Sequence, residues 1–380
     1  MADSTPSPTS PPSSGPRSRP ASGAGANGSL SSAFWLGLDI GGANIKASHP
    51  SGVSRTMPFE LWKHPEDLPR SLASLLKGLP EAHGLAVTMT AELCDCYATK
   101  EEGVNDVLNA VEQVARHREV WIWGIDGRFH KPAVIREEPR RAAAANWLAL
   151  AILAARLAPR GPAILIDIGS TTTDLIPIQD GRPIPRGRTD TQRLQTGELV
   201  YAGVRRTPVA TLATELRHRG VPTGLTSETF ATTADLYLAL GETEEDPSDL
   251  GTADGRPLTL EATRDRLARM IGADRSEFSL DDARELAREA DHALMDRLVT
   301  VAKRCCFGQI GRPRTAIVAG QGEFLARRLA LRLLASDGQI ISLREAWGET
   351  ASAAGCAYAV MKLAIESLSD PPRTSAPPTR

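Results

Sequence analysis

The chain contains the stretch Leu36-Gly37-Leu38-Asp39-Ile40-Gly41-Gly42-Ala43-Asn44-Ile45-Lys46 and, further along, Ile164-Leu165-Ile166-Asp167-Ile168-Gly169-Ser170-Thr171-Thr172-Thr173-Asp174. Each is an apolar run with an aspartate near its end, followed by glycine, small polar residues and a second apolar segment. This pattern predicts a strand, a tight turn and a second strand. One such hairpin is equally typical of an ordinary β-turn. Two copies predict two related lobes that close on one phosphorylated ligand.

The turn residues have the chemistry of a phosphate site. Glycine lets backbone N–H groups approach an anion closely, and hydroxyl and amide side chains add donors. Each aspartate can hold a hydrated divalent cation against the same phosphate. We therefore expect Asp39 and Asp167 to bind Mg²⁺. The residues expected to hold phosphate oxygens are Gly41, Gly42, Asn44, Lys46, Gly169, Ser170, Thr171 and Thr172.

The bulk composition is that of a globular protein with a sizeable core. The chain has 380 residues, of which 41% are hydrophobic, and a formal net charge of −2. Such a charge gives no global basic field for nucleic acid. The five cysteines do not follow a zinc or secreted-disulfide spacing, so reduced thiols in a cytoplasmic protein are expected.

The chain divides into four segments by composition. Residues 1–32 are rich in proline, serine and glycine and lack the apolar core of a signal peptide, so they are interpreted as a disordered extension. Residues 33–160 form the predicted N-terminal lobe and residues 161–368 the predicted C-terminal lobe, whose last helix returns to the hinge. Residues 369–380 are interpreted as a disordered tail. No apolar run is long enough to predict a membrane span.

Apolar spacing predicts an α/β chain. Helices are expected at 68–79, 103–117, 142–155, 281–307, 323–334 and 349–365, and further strands at 84–90, 119–125, 315–319 and 340–342. Residues 188–204 fit no element clearly. The strand at 315–319 leads into Gly320-Gln321-Gly322-Glu323, a third glycine turn, and Gly320 and Gly322 are expected to close the ligand cleft.

This order of motifs resembles the actin-like ATPase superfamily, which includes sugar kinases and acetate kinase. Its two phosphate loops match Asp39-Ile40-Gly41-Gly42 and Asp167-Ile168-Gly169-Ser170-Thr171, and its adenosine loop matches Val318-Ala319-Gly320-Gln321-Gly322. The resemblance implies two ribonuclease H-like lobes with a ligand cleft between them. A fold of this kind does not identify the reaction.

Further stretches resemble a narrower group, the hydantoinase/oxoprolinase-like proteins, and within it the family linked to tetrahydromethanopterin C1 transfer. They include Thr88-Met89-Thr90-Ala91-Glu92-Leu93-Cys94 and Leu194-Gln195-Thr196-Gly197-Glu198, with similar matches across 99–104, 145–147, 166–178, 203–208 and 319–325. The resemblance implies a transferase of methanofuran biosynthesis. In that reaction, the phenol oxygen of γ-glutamyltyramine displaces diphosphate from an aminomethyl-furanylmethyl diphosphate. The implied partners are these two small molecules, with no nucleic acid and no membrane.

Such a reaction needs a base for the incoming phenol, whose ordinary pKa is about 10. A carboxylate within hydrogen-bond reach is the simplest base. Glu92, Asp95, Asp190 and Glu198 lie in polar loops beside small residues and are the predicted catalytic group. For each of them, a helix cap or an ion pair is an equally good interpretation.

Two other functions remain open at this point. The same hairpins would suit ATP, which would make the protein a small-molecule kinase or an oxoprolinase/hydantoinase-like hydrolase. They would also suit a nucleotide-sensing or assembly protein that changes shape on binding. In Gly320-Gln321-Gly322 a side chain stands where adenosine would pass, which weakens the case for ATP. The oligomeric state is not predicted by any of these features.

Overall fold

A computed structural model describes residues 34–368 of the chain. The predicted extension at 1–32 and the predicted tail at 369–380 lie outside the described residues. Two mixed β-sheets, each with its own helices, account for most of the described chain.

The first sheet has six strands in the order β3-β2-β1-β4-β5-β6. Strands β1, β2 and β3 are antiparallel neighbours, whereas β1, β4 and β5 run parallel. The helix α2 begins where the hydroxyl of Thr99 accepts a hydrogen bond from the Glu102 amide at 3.1 Å, a standard N-cap. The elements are β1 (Trp35–Ile40), β2 (Asn44–Ser48), β3 (Ser54–Pro58), α1 (Leu68–Lys77), β4 (Gly84–Met89), α2 (Lys100–Ala115), β5 (Glu119–Trp123), β6 (Phe129–His130), α3 (Pro132–Glu137) and α4 (Asn146–Ala155).

The second sheet repeats the central part of the first. Its strands follow the order β10-β8-β7-β13-β14, with β7 and β8 antiparallel and β7, β13 and β14 parallel. The elements are β7 (Pro162–Ile168), β8 (Thr173–Gln179), β9 (Arg182–Pro183), α5 (Asp190–Thr196), β10 (Leu199–Val200), β11 (Glu215–His218), β12 (Val221–Gly224), α6 (Thr233–Ala239), α7 (Leu260–Arg269), α8 (Leu280–Ala302), α9 (Gly308–Ile310), β13 (Thr315–Ala319), α10 (Glu323–Leu333), β14 (Gln339–Ser342), α11 (Leu343–Trp347), α12 (Glu349–Ala353) and α13 (Gly355–Leu368).

Each sheet has its own apolar core, and a third core joins them. The third core contains residues of α4 and α13 together with residues from both sheets, among them Trp35, Ala86, Leu165 and Ile317. Although α13 follows the second sheet in sequence, it packs against β1 and α4. The two sheets are therefore connected through a shared apolar layer as well as through the chain.

The repeated order β2-β1-β4-β5 and β8-β7-β13-β14 is that of two ribonuclease H-like lobes, which confirms the predicted fold class. Most predicted elements are present, with ends that differ by a few residues. The last predicted helix is divided at Ala354, whose backbone (φ −106°, ψ 34°) leaves the helical region. The ambiguous stretch at 188–204 contains α5 and β10. No helix within 34–368 combines the length and apolarity that crossing a membrane requires.

Candidate active site

The two predicted hairpins form turns with the same backbone geometry. In the first, the Gly41 amide donates to the Asn44 carbonyl at 3.0 Å, and in the second the Gly169 amide donates to the Thr172 carbonyl at 2.9 Å. We refer to residues 41–44 as the first loop and residues 169–172 as the second loop. Because these turns close in the same way, the amides between the closing residues remain free to donate to an anion.

One aspartate lies at the base of each loop. Asp39 pairs across its hairpin with Lys46, and Asp167 pairs with Asp174. Burial raises the pKa of Asp39, while the charge of Lys46 and a hydrogen bond from Asn146 at 3.4 Å oppose that shift. Asp39 is therefore a buried carboxylate with few donors.

Asp167 is in a still less favourable environment for a charge. Its pKa is raised to about 7, first by burial and then by the negative charges of Asp174 and Asp39, whereas Lys46 and Arg193 lower it. The negative charge of Asp39 acts on Asp167, so the two carboxylates share one region of the structure. Such a concentration of negative charge is what a bound cation would neutralise.

The segment 203–206 supports the second loop from behind. The amide of Val204 donates to the Gly169 carbonyl at 3.0 Å, and the amides of Arg205 and Arg206 donate to the Ser170 carbonyl at 3.0 and 2.9 Å. A Cβ atom on Gly203 would lie 2.5 Å from the Gly169 carbonyl oxygen, so only glycine fits at this position. Residues 203–208 were part of the family resemblance, but a role in supporting the second loop was not predicted from the sequence.

The third glycine turn packs against the end of β7. Gly320 has φ +90°, and a Cβ atom there would lie 2.4 Å from Oδ1 of Asp167. The Gly322 amide donates to the Ile168 carbonyl at 2.8 Å. Gly320 and Gly322 therefore fix the backbone around Asp167, while Gln321 is exposed.

Glu92 is the most unusual of the four predicted catalytic residues. It is buried, and neither carboxylate oxygen has a hydrogen-bond partner within residues 34–368. Burial and the negative charge of Asp190 raise its pKa to about 7, while the amides of Glu92 and Ala144 and the charge of Lys100 oppose that shift. Ala144 adopts φ 48°, a left-handed conformation that alanine rarely takes, next to this carboxylate.

Asp190 begins α5 and faces the same region from the second lobe. Burial raises its pKa, and the charges of Arg193 and Lys100 oppose that effect. Its ion pair with Arg193 is long, at 3.8 Å, because Arg193 pairs more closely with Asp174 and stacks 4.0 Å from the Trp147 ring. The charges of Glu92, Asp190 and Lys100 therefore act on one another across the cleft. We refer to Glu92 and Asp190 as the acid pair and to Lys100 as its lysine.

The other two predicted catalytic residues lie in different surroundings. Glu198 is fully buried and accepts hydrogen bonds from the amides of Arg186 and Gly187, both at 2.7 Å, and from the Thr196 hydroxyl at 2.9 Å. Its carboxylate is occupied in holding a loop. Asp95 is exposed to solvent. Glu198 is therefore not a free carboxylate, whereas the catalytic role of Asp95 stays a prediction.

Two further residues of the second lobe, Arg206 and Tyr201, interact with residues of the first lobe. The guanidinium of Arg206, next to the second loop, lies 4.8 Å from the ring of Trp62 in the first lobe. Arg206 forms no ion pair with any described residue. Tyr201 is exposed, and its pKa is raised by burial of the hydroxyl and by the charges of Asp190 and Glu92. The positive charge of Arg206 made it a possible anion clamp from sequence, whereas Tyr201 had no signal beyond its place in a matching motif.

A cavity of about 650 Å³ is lined by Glu101 and Thr189, the chain neighbours of Lys100 and Asp190, together with residues that include Ile125 and Arg140. Another, of about 460 Å³, lies between α8 and α10 and contains none of the predicted site residues.

A pair of glycine loops, each with an aspartate at its base, on two ribonuclease H-like lobes defines an actin-like protein with a ligand cleft. The Hydantoinase/oxoprolinase family model matches residues 83–364. The chain belongs to the hydantoinase/oxoprolinase family.

Two curated relatives have the same name, (4-{4-[2-(γ-L-glutamylamino)ethyl]phenoxymethyl}furan-2-yl)methanamine synthase. The protein of Methanocaldococcus jannaschii is 35% identical over 88% of this chain and 98% of its own length. That of Methanococcus vannielii is 31% identical over 54% of this chain and 91% of its own length. Both are named as synthases, in agreement with the prediction that this chain is an enzyme.

Solved structures are more distant. The activator of the 2-hydroxyisocaproyl-CoA dehydratase from Clostridium difficile is 14% identical, with 90% of this chain and all of that chain covered and a TM-score of 0.43.

Proposed function

We propose that the protein is a transferase of methanofuran biosynthesis that makes an aryl ether. The phenol oxygen of γ-glutamyltyramine attacks the methylene carbon of an aminomethyl-furanylmethyl diphosphate. A carbon–oxygen bond forms, and the bond from that carbon to diphosphate breaks with its electron pair. The observation that carries the proposal is the matched pair of loops, each with a buried aspartate at its base, on a chain 35% identical to a synthase named for this ether.

The residues present fit Mg²⁺. Asp39 and Asp167 offer hard oxygen ligands, and each raises the cost of the other's charge. Mg²⁺ usually binds through one or two carboxylates together with water and substrate phosphates. When bound, the ion would neutralise charge on the leaving diphosphate. Lys46 lowers the pKa of both aspartates, so it supplies part of the same compensation from the protein itself.

The loops hold the diphosphate. Free amides of the first loop and of the second loop, with the hydroxyls of Ser170, Thr171 and Thr172, donate to its oxygens. Arg206 adds a cation at the edge of the second loop because its guanidinium has no ion pair within the described chain. A leaving group held in this way departs more readily because its developing charge is already stabilised.

Glu92 accepts the phenol proton. Of the two predicted catalytic carboxylates that are buried, Glu92 and Glu198, it is the one whose oxygens have no hydrogen-bond partner in residues 34–368. A base works best when its pKa is near the working pH, and the pKa of about 7 for Glu92 meets that condition. Asp190 maintains this pKa through its negative charge, and Lys100 limits the shift.

The direct test supplies purified protein with Mg²⁺, the furanylmethyl diphosphate and γ-glutamyltyramine, and detects the ether by mass spectrometry. We expect one ether and one diphosphate per turnover, with neither product when either substrate is omitted. The absence of ether at every pH from about 6 to about 9 would contradict the proposal.

ATP is the second ligand to test, because the third turn keeps both outer glycines against Asp167. Calorimetry with diphosphate and with a non-hydrolysable ATP analogue, each with Mg²⁺, separates the two functions. The transferase proposal predicts that diphosphate binds and that the analogue binds at least about tenfold more weakly, a difference of about 1.4 kcal/mol. Tighter analogue binding, with phosphate release stimulated by a small substrate, would favour a kinase or hydrolase.

A further inference from the structure

The cavity of about 650 Å³ has no role in the reaction as described above. Its walls come from both lobes: Ile125, Asp126 and residues 137–141 on one side, Thr189 on the other, and Glu101 at the start of α2. A cavity of this size is within the ordinary range for small-molecule sites. The Arg188 guanidinium donates to the Ile125 carbonyl at 3.4 Å, which connects the two walls.

Two residues that line the cavity are chain neighbours of residues at the reacting centre. Thr189 lines it, and the next residue is Asp190 of the acid pair. Glu101 lines it, and the preceding residue is Lys100, whose charge acts on both Glu92 and Asp190. A molecule with its phenol at Glu92 can therefore extend past Lys100 and Asp190 into this cavity.

The two arginines at the cavity, Arg140 and Arg141, differ in how fully their guanidinium groups are paired. Arg141 is held by Asp126 at 2.9 Å and by Glu138, so its guanidinium is occupied. Arg140 contacts only Glu101 among the carboxylates of the described chain, at 3.3 Å, and the two side chains are 81% and 53% exposed. An ion pair this exposed contributes little free energy, so a ligand that carries both charges can replace it.

We infer that this cavity is the subsite for the amino-acid end of the acceptor, with Arg140 binding its α-carboxylate and Glu101 its α-ammonium group. The inference rests on the proposed function, because the curated relatives are named for a product with a γ-L-glutamylamino group. That group ends in a carboxylate and an ammonium on one carbon, which matches an adjacent arginine and glutamate. The apolar part of the cavity wall, including Ile125 and Pro139, suits the chain that joins the two ends.

The test is equilibrium binding of two acceptors to the full-length protein, measured by calorimetry without the diphosphate donor. Tyramine has the phenol but no glutamyl group, whereas γ-glutamyltyramine has both. For Arg140→Gln and for Glu101→Gln we expect γ-glutamyltyramine to bind at least about tenfold more weakly, since each variant loses one charge-assisted contact. We expect tyramine binding to stay within about twofold. Arg160→Gln, at an exposed arginine outside the cavity lining, is the matched control.

Steady-state kinetics distinguish a failure of this inference from a failure of the proposed transferase function. In both variants the KM for γ-glutamyltyramine should rise by about the same factor while kcat stays near wild type. If the wild-type protein makes the ether and both variants keep its affinity and KM for γ-glutamyltyramine, the cavity is not the subsite. If the wild-type protein makes no ether from either acceptor, the proposed function fails first and the inference fails with it.

Discussion

Asp39, Asp167 and Glu92 occupy surroundings that penalise their charge. The pKa of Asp39 is raised, and those of Asp167 and Glu92 are raised to about 7. In each case burial is the largest cause, and a second carboxylate adds to it at Asp167 and Glu92. A fold gains nothing in stability from such residues, which is why perturbed acids of this kind mark candidate functional sites.

At Glu92 we predict that removing the charge abolishes most activity. Glu92→Gln keeps the size of the side chain but cannot accept the phenol proton, so kcat should fall by about 10²- to 10⁴-fold. Diphosphate binding, measured by calorimetry, should be unchanged because the loops are intact. Glu215→Gln, an exposed glutamate of β11, is the matched control and should retain near wild-type kcat. A Glu92→Gln enzyme with wild-type kcat would remove Glu92 from the mechanism.

The same substitution should stabilise the protein at high pH. The folded-state pKa of Glu92, about 7, lies above the unfolded value of 4.5, so the folded form binds more protons between those values. Stability is therefore lost as pH rises through this window, and the cost is complete above pH 7. Glu92→Gln should raise the free energy of unfolding by about 1–3 kcal/mol at about pH 8, and by less than half as much at about pH 5.

Urea unfolding at the two pH values measures this difference. Glu215→Gln should change stability by less than about 0.5 kcal/mol at both, as an exposed substitution does. A Glu92→Gln protein that is less stable than wild type at the higher pH would show that the carboxylate has a stabilising partner.

At the scale of single elements, the second loop depends on the segment behind it. Gly203→Ala would place a Cβ atom 2.5 Å from the Gly169 carbonyl oxygen and from the Thr171 nitrogen. The loop must shift, and a displaced loop loses aligned donors. We predict a fall in kcat/KM for the diphosphate donor of at least about tenfold.

Gly224→Ala is the matched control, because no atom lies within 4 Å of a Cβ there. It should keep wild-type kcat/KM. Equal activity of the two variants, both folded by circular dichroism, would show that segment 203–206 does not position the second loop.

The sequence predicts an element well when its signal is contained within a short stretch of neighbouring residues. The hairpins at β1–β2 and β7–β8 follow from apolar runs and glycine turns, which are contained within about ten residues. The break at Ala354 carries no such signal, because alanine and its neighbours favour a continuous helix. The hairpin β11–β12 and the helices α6 and α7, in the chain between β10 and α8, were not predicted from the sequence.

At the scale of the whole molecule, the site exists only where the lobes meet. Asp39 and Asp167 were predictable because each lies at a fixed place in its own hairpin. The raised pKa of Glu92 was not, since it depends on burial by the fold and on the charge of Asp190 from the other lobe. Glu198 looked equivalent in sequence, and long-range folding of residues 186–187 over its carboxylate made it a structural residue.

Arg206 is predicted to connect the lobes when diphosphate binds. Its amide is fixed to the second loop and its guanidinium stacks on Trp62 of the first lobe. Arg206→Ala should weaken diphosphate binding by about tenfold or more, measured by calorimetry. Arg206→Lys should recover only part of that loss, because lysine keeps the charge without the planar stacking surface. Wild-type affinity in Arg206→Ala would exclude a contact with the ligand.

The proposed reaction depends on Asp39 and Asp167 holding Mg²⁺ at the diphosphate, and the Asp39→Asn and Asp167→Asn variants test this most directly. The measurement is kcat/KM for the diphosphate donor as a function of Mg²⁺ concentration, with thermal melting to show that both proteins fold. We predict a loss of at least about 10²-fold in each variant. Folded variants that work as well as wild type, at the same Mg²⁺ concentration, would contradict the account.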